Sequence, residues 1–166
     1  SVKMACMSAV LMPLLRACLL MLVLSSGTVA AGPHEKVNPE TGLSSWQLTE
    51  QGFSLELVQV LPDYVRAVYA SRGLPKTIID RVSSFCVFGT ILQNQSDATL
   101  SYDVTDWRFV TADGKTHRAR PKTEWVNEWQ NLGVAFRWSL LPENQTYAPG
   151  DWGQGFTTVA LPPDTL

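Results

Sequence analysis

Phe85-Cys86-Val87-Phe88-Gly89-Thr90-Ile91-Leu92 is the stretch that decides the fold. In an extended chain Phe85, Val87, Gly89 and Ile91 fall on one face and Cys86, Phe88, Thr90 and Leu92 on the other, and neither set is polar enough for water. A strand that is apolar on both faces is covered on both faces. The reading places 85–92 at the centre of a sheet, with a β core beneath and a helix above. Asn94-Gln95-Ser96-Asp97 follows with the side chains of a turn.

Upstream, Phe53, Leu55, Leu57 and Gln59 alternate with Ser54, Glu56, Val58 and Val60, a strand that Leu61-Pro62 closes. Val65, Val68 and Tyr69 then have helical spacing, with Pro62 and Asp63 suited to a first turn and Gly73 to a stop. Thr77-Ile78-Ile79-Asp80 has the pattern of a capping box and opens a second short helix through Val82. Residues 32–49 hold Pro33, Pro39 and Gly42 with little periodicity, which predicts a flexible leader.

Downstream, Leu100, Tyr102 and Val104 form a half-buried strand, and the apolar phase shifts before Trp107, a shift that Thr105-Asp106 can absorb as a bulge. Trp107–Thr111, the Asp113-Gly114 turn and Lys115–Arg120 make a hairpin. Pro121 opens a third helix with Trp125, Trp129 and Leu132 at i, i+4 and i+7 and Gly133 as its stop. Val134, Phe136, Trp138 and Leu140 alternate as another strand; 142–145 and 149–151 carry loop chemistry, and Phe156–Leu161 is the last strand. Short strands at this spacing argue for an antiparallel sandwich.

The chain has 166 residues, 45% apolar and 17% charged, the composition of one ordinary domain. A formal net charge of −2 supplies no basic field, which excludes nucleic acid as a partner for the chain as a whole. Met12-Pro-Leu-Leu-Arg16, the apolar run Ala17–Leu24 and the small residues to Ala31 have the order of a secretory signal peptide, so residues 1–31 are read as one, cut after Ala31. An uncleaved anchor competes poorly, because Ala17–Ala31 makes about 22 Å of helix against roughly 30 Å of hydrocarbon. Cys18 lies at the wrong end of the apolar run for lipid attachment. Contact with a membrane is thus expected only through the signal peptide if it stays uncleaved. Cleavage removes Lys3 and Arg16 from 13 basic residues and none of the 15 acidic ones, leaving a mildly acidic domain at −4 whose single thiol is Cys86.

Three segments carry a resemblance: Leu92-Gln93-Asn94-Gln95-Ser96 after the central strand, Asp106-Trp107-Arg108-Phe109-Val110-Thr111-Ala112-Asp113-Gly114-Lys115, and Ala148-Pro149-Gly150-Asp151-Trp152-Gly153-Gln154-Gly155-Phe156. Their order resembles bacterial secreted immunoglobulin-like sandwiches of the mycobacterial immunoprotective extracellular antigen type, over roughly residues 53–166. The resemblance implies a mainly β, antiparallel immunoglobulin-like β-sandwich over 50–166, with short helical insertions and truncated before its last strand. It transfers no catalytic residue. A missing closing strand would leave an unpaired edge beside Phe156–Leu161.

The chemistry is sparse. His34, His117 and Cys86 are too few and too scattered for zinc or copper, and Asp103 with Asp106 lacks the loop that calcium needs. Ser44 lacks a nucleophile turn, and Glu124 with Glu128, one helical turn apart, reads as an ordinary helix face rather than a glycosidase pair. Cys86 among Phe85, Val87 and Phe88 reads as an inert thiol. No cofactor, metal or catalytic set is expected.

What stands out is aromatic. Six Trp are present, and flat exposed rings stack on sugars or anchor partners. Trp107 and Trp138 have core parity and Trp125 with Trp129 forms the stripe a helix needs to dock, while Trp152 in Gly150-Asp151-Trp152-Gly153 reads first as a loop Trp folded over the core as a lid, with a ligand contact as the alternative. Arg108, Lys115, Arg118, Arg120 and Lys122 concentrate charge on the hairpin and the helix start. The candidate contact residues are Trp152, Trp125, Trp129, Arg118 and Arg120. The expectation is a non-enzymatic binding or scaffolding module, exported to the periplasm or outside the cell, whose partner is a protein or glycan of the envelope. A carbohydrate-binding module using exposed Trp is the alternative within that class, and a small envelope enzyme the rival outside it.

Overall fold

The computed structural model describes residues 34–163; the signal-peptide reading of 1–31 lies outside them. Strands β1 (His34–Val37), β2 (Ser44–Glu50) and β3 (Phe53–Val60) precede helices α1 (Pro62–Ser71) and α2 (Lys76–Ser83). Then come β4 (Cys86–Asn94), β5 (Leu100–Asp103), a 3₁₀ turn (Val104–Asp106), β6 (Arg108–Val110), β7 (Thr116–Arg120), α3 (Lys122–Asn131), β8 (Asn144–Tyr147) and β9 (Trp152–Val159). Seven strands form one antiparallel sheet in the order β1-β2-β3-β4-β9-β7-β6, and β5 pairs with β8 as a separate two-stranded ribbon. The mainly β, antiparallel architecture with short helices is as the sequence implies. The strands divide seven to two, not into two comparable sheets.

β4 is the central strand, and both of its faces are covered. Cys86, Phe88 and Leu92 face a core completed by Trp46, Leu57, Tyr102, Val104, Phe109, Leu141 and Tyr147, so the ribbon and the β6–β7 hairpin close this side. Phe88 stacks on Phe109 at 5.5 Å and meets Trp46 edge-on at 5.9 Å. Val87 faces the second core, built from Val65 and Tyr69 of α1, Ile78 and Val82 of α2, and Trp125 and Trp129 of α3.

The ribbon, through Tyr147, and the Leu140–Leu141 segment that leads into it come close to β9 because two positions on that strand lack a side chain. A Cβ on Gly155 would lie 2.5 Å from the Leu141 backbone nitrogen, and one on Gly153 would lie 2.1 Å from the Tyr147 hydroxyl. Fully buried Asn94 locks the end of β4: its Nδ2 donates to the carbonyls of Ala98 (2.7 Å) and Tyr147 (3.1 Å), and its Oδ1 accepts from the amide of Ser96 at 3.0 Å.

Several expectations are corrected. Residues 34–49, the described part of the predicted 32–49 leader, are not a flexible leader: β1 and β2 belong to the sheet, and Trp46 is buried against Phe88. Five of the seven residues of β2 are polar, and with buried Trp46 standing among them the alternation was hidden, since β2 covers core on one face only. Residues 134–139 form no strand. Ser139 takes a left-handed φ of 73°, held by Tyr69, whose hydroxyl lies 2.8 Å from the Ser139 Oγ, and by the Phe156 amide donating to its carbonyl. Asn144 and Gln145, read as loop, belong to β8. The phase shift before Trp107 is made by the 3₁₀ turn rather than by a bulge. Helix α2 starts at Lys76 without a side-chain cap. β9 begins at Trp152, and both its edges are bonded, to β4 along its length and to β7 at Thr158 and Val159, with Leu140 bridging Phe156. The unpaired edge foreseen beside Phe156–Leu161 is therefore not found among the described residues.

Candidate functional site

Register divides the helix-bearing face of the sheet in two. Directly paired residues share a face, so Ser45–Val58–Gly89–Phe156 is one row across β2, β3, β4 and β9, and Val60–Val87–Thr158 is the next. These rows are mostly apolar and meet the core under α1, α2 and α3. Toward the other end the rows change character. Gln47–Glu56–Ile91–Gln154 and Thr49–Ser54–Gln93–Trp152 are made almost wholly of polar side chains, with Ile91 and Trp152 as the two apolar members. Ile91 is 39% exposed and Trp152 61% exposed, while Gln93, Gln154 and Thr49 are open to solvent.

The polar groups of these two rows are largely unspent. Among the described residues Gln47 Oε1 accepts from Lys36 Nζ at 2.8 Å and Gln93 Oε1 accepts from Gln95 Nε2 at 3.0 Å. The side chains of Thr49, Ser54, Glu56 and Gln154 and the Nε2 of Gln93 make no hydrogen bond there. With strands about 4.8 Å apart and alternate residues about 6.8 Å apart, the two rows span roughly 14 Å by 7 Å between Cα positions. They offer hydroxyl, amide and carboxylate groups beside an indole. Trp138, 77% exposed, precedes Ser139, whose carbonyl accepts from the Phe156 amide, so a second open indole stands beside β9. Core parity for Trp138 is corrected by the turn at Ser139, which ends the alternation.

Of the residues singled out from sequence, only Trp152 reaches this surface, as the exposed first residue of β9; the reading of a loop Trp folded as a lid over the core is corrected, because strand pairing with Gln93 turns its side chain to the open face. Trp125 and Trp129 are both 0% exposed and are corrected as contact candidates: α3 needs them to dock. Trp125 meets Phe85 at 4.9 Å and donates from Nε1 to Thr158 Oγ1, and Trp129 packs on Tyr69 at 6.0 Å. Tyr69 is itself so enclosed that burial pushes its phenol up to about 12.

Arg118 and Arg120 form internal ion pairs. Arg118 binds Glu124 through two nitrogens, at 2.7 and 3.2 Å, and this bond holds the Glu124 carboxyl below its ordinary value, with the charges of Arg118 and Arg120 adding to the effect. Arg120 donates to Glu128 at 2.5 Å and lies over Trp125, 4.0 Å from the ring centroid. Arg81 approaches Glu128 at 3.5 Å and lies over Phe85 at 5.0 Å. The cluster ties α2, α3 and β7 together. Its carboxylates already occupy the guanidinium faces that an anionic partner would need.

The remaining candidates stay apart from one another. Cys86 is fully buried, with Sγ 3.5 Å from the Pro162 carbonyl. Asp103 caps the 3₁₀ turn through the amide and hydroxyl of Thr105, bonds that lower its pKa. No group of three or more His, Cys, Asp or Glu gathers among the described residues. Compared with known proteins, the chain matches no family model, no curated protein and no solved structure. Sequence reading missed Ser54, Glu56, Gln93 and Gln154. Their signal was parity: each continues an apolar face beyond the point where it turns polar.

Proposed function

We propose that the protein is a non-enzymatic binding module whose ligand surface is the uncovered half of the sheet, around Gln93, Gln154, Ile91 and Trp152. The observation that carries this reading is the change of character along one face. Rows that dock helices are mostly apolar, whereas the next two rows combine an open indole with polar groups most of which have no partner among the described residues. Such groups are solvated until something binds them, and an exposed Trp beside them supplies apolar contact area at low entropic cost.

Its place of action is proposed as the cell envelope or the exterior, on the basic, apolar and small-residue order of Met12–Ala31. The stacking of the β5–β8 ribbon on the large sheet supports kinship with immunoglobulin-like sandwiches.

Amide chemical-shift mapping tests the reading. The ¹⁵N-labelled protein is titrated with small neutral probes, namely disaccharides and short uncharged peptides. Shifts are expected to cluster at residues 47–56, 91–93 and 152–154. Shifts clustering instead on the Arg118–Glu124 pair or on the ribbon would contradict the proposal.

A further inference from the structure

The chemistry of the two open rows narrows the ligand class, on the premise that this surface is the binding face. We infer that its ligand is a neutral oligosaccharide chain, with a sugar ring stacked on Trp152 and hydroxyls bonded to Ser54, Glu56, Gln93 and Gln154.

Size speaks first. The two rows hold eight positions, whereas a stable protein interface takes roughly 20–30 residues from each partner. The apolar content is also too small for the core of a protein interface, with Ile91 and Trp152 as the only apolar members of eight positions. An extended peptide would add to a sheet edge through backbone bonds, whereas Ile91 and Gln93 lie on β4, an interior strand paired with β3 and β9 along its length.

Charge speaks second. Glu56 is the one charged residue in the two rows, without an ion pair among the described residues, and Lys36 of β1 reaches their rim through its bond to Gln47 and balances it in charge. A carboxylate amid the surface repels polyanions and accepts hydrogen bonds from neutral hydroxyls. Amide groups on Gln93 and Gln154 each donate and accept, as a hydroxyl-rich ligand requires. A sugar ring adds an apolar C–H face for the indole, so one ligand class uses both the polar and the aromatic members.

Affinity electrophoresis and calorimetry with the intact protein decide the matter. The panel is cello-, xylo-, manno-, malto- and chito-oligosaccharides of six units, with a sulfated glycan as the anionic control. Binding of at least one neutral chain is expected, insensitive to salt and weakened tenfold or more by Trp152→Ala and by the double change Gln93→Ala with Gln154→Ala. Trp152→Phe should keep part of it. No binding across the neutral panel at millimolar concentration, binding indifferent to Trp152→Ala, or preference for the sulfated glycan would each overturn the inference. If peptide probes still map to 91–93 and 152–154 in that case, the binding face stands and only the sugar assignment falls.

Discussion

The indole Nε1 of Trp125 donates a 2.8 Å hydrogen bond to Oγ1 of Thr158, joining the middle of α3 to the sheet through two fully buried side chains. This bond fixes where the helix layer sits on β9, and so where the covered half of the face gives way to the open half. Thr158→Val keeps the shape and removes the acceptor, leaving a buried N–H without a partner. A loss of about 1–3 kcal/mol is expected by urea denaturation, since the desolvation of that donor is no longer offset. An unchanged midpoint would show that the bond does not anchor the helix.

The close approach of Tyr147 and Leu141 to β9 gives a paired test. Gly155→Ala and Gly153→Ala should each cost about 1–3 kcal/mol, because the new methyl meets the Leu141 backbone or the Tyr147 hydroxyl. Adding Tyr147→Phe removes the atom that blocks Gly153→Ala, and the next nearest ring atom lies at 3.2 Å. The double variant should therefore recover most of that loss, while Tyr147→Phe should do nothing for Gly155→Ala. A double-mutant cycle without coupling at Gly153 would contradict the packing described.

Much of this arrangement was legible in the chain, for identifiable reasons. The two-faced run 85–92 announced β4, because a strand covered on both sides cannot hide its composition. Pro62, Pro121, Gly73 and Gly133 marked the ends of α1 and α3, because proline and glycine act locally. The misses share a different cause. Trp138 lost its core parity at Ser139, whose left-handed backbone depends on Tyr69 and Phe156 far away in sequence. Trp46 and β2 were hidden because one buried face among polar neighbours looks like loop until a partner strand is known. The open rows needed the register of β3, β4 and β9, which no single segment encodes.

The Arg118–Glu124 pair makes a pH-dependent contribution of defined sign. Because the folded state holds Glu124 below its ordinary 4.5, its contribution is complete above that pH and fades as the pH falls through the lowered folded-state value. Both side chains are substantially exposed, so the effect should stay below about 1 kcal/mol and shrink in salt. Glu124→Gln should accordingly be slightly less stable than the parent at pH 7, with the gap closing below pH 4.5 in denaturation curves. A gap that widened on acidification would reverse the sign and refute the pairing.

Tryptophan substitutions should separate packing from binding. Trp125→Ala opens a cavity between α3 and the sheet and should cost about 3–5 kcal/mol, whereas Trp152→Ala at an exposed strand position should change stability by no more than about 0.5 kcal/mol. Thermal and urea unfolding of the two variants side by side measure this. Comparable losses would mean that Trp152 packs rather than waits for a ligand.

The indole N–H signals of the six tryptophans test the central claim most directly. In a ¹⁵N-labelled sample titrated with a bound oligosaccharide, the Trp152 signal should shift with the binding isotherm while those of buried Trp46, Trp125 and Trp129 stay in place, and the isotherm should weaken at least tenfold in Trp152→Ala. A saturable isotherm that leaves the Trp152 signal unmoved, or that persists unchanged in Trp152→Ala, would contradict the assignment of the open half of the sheet as the ligand surface.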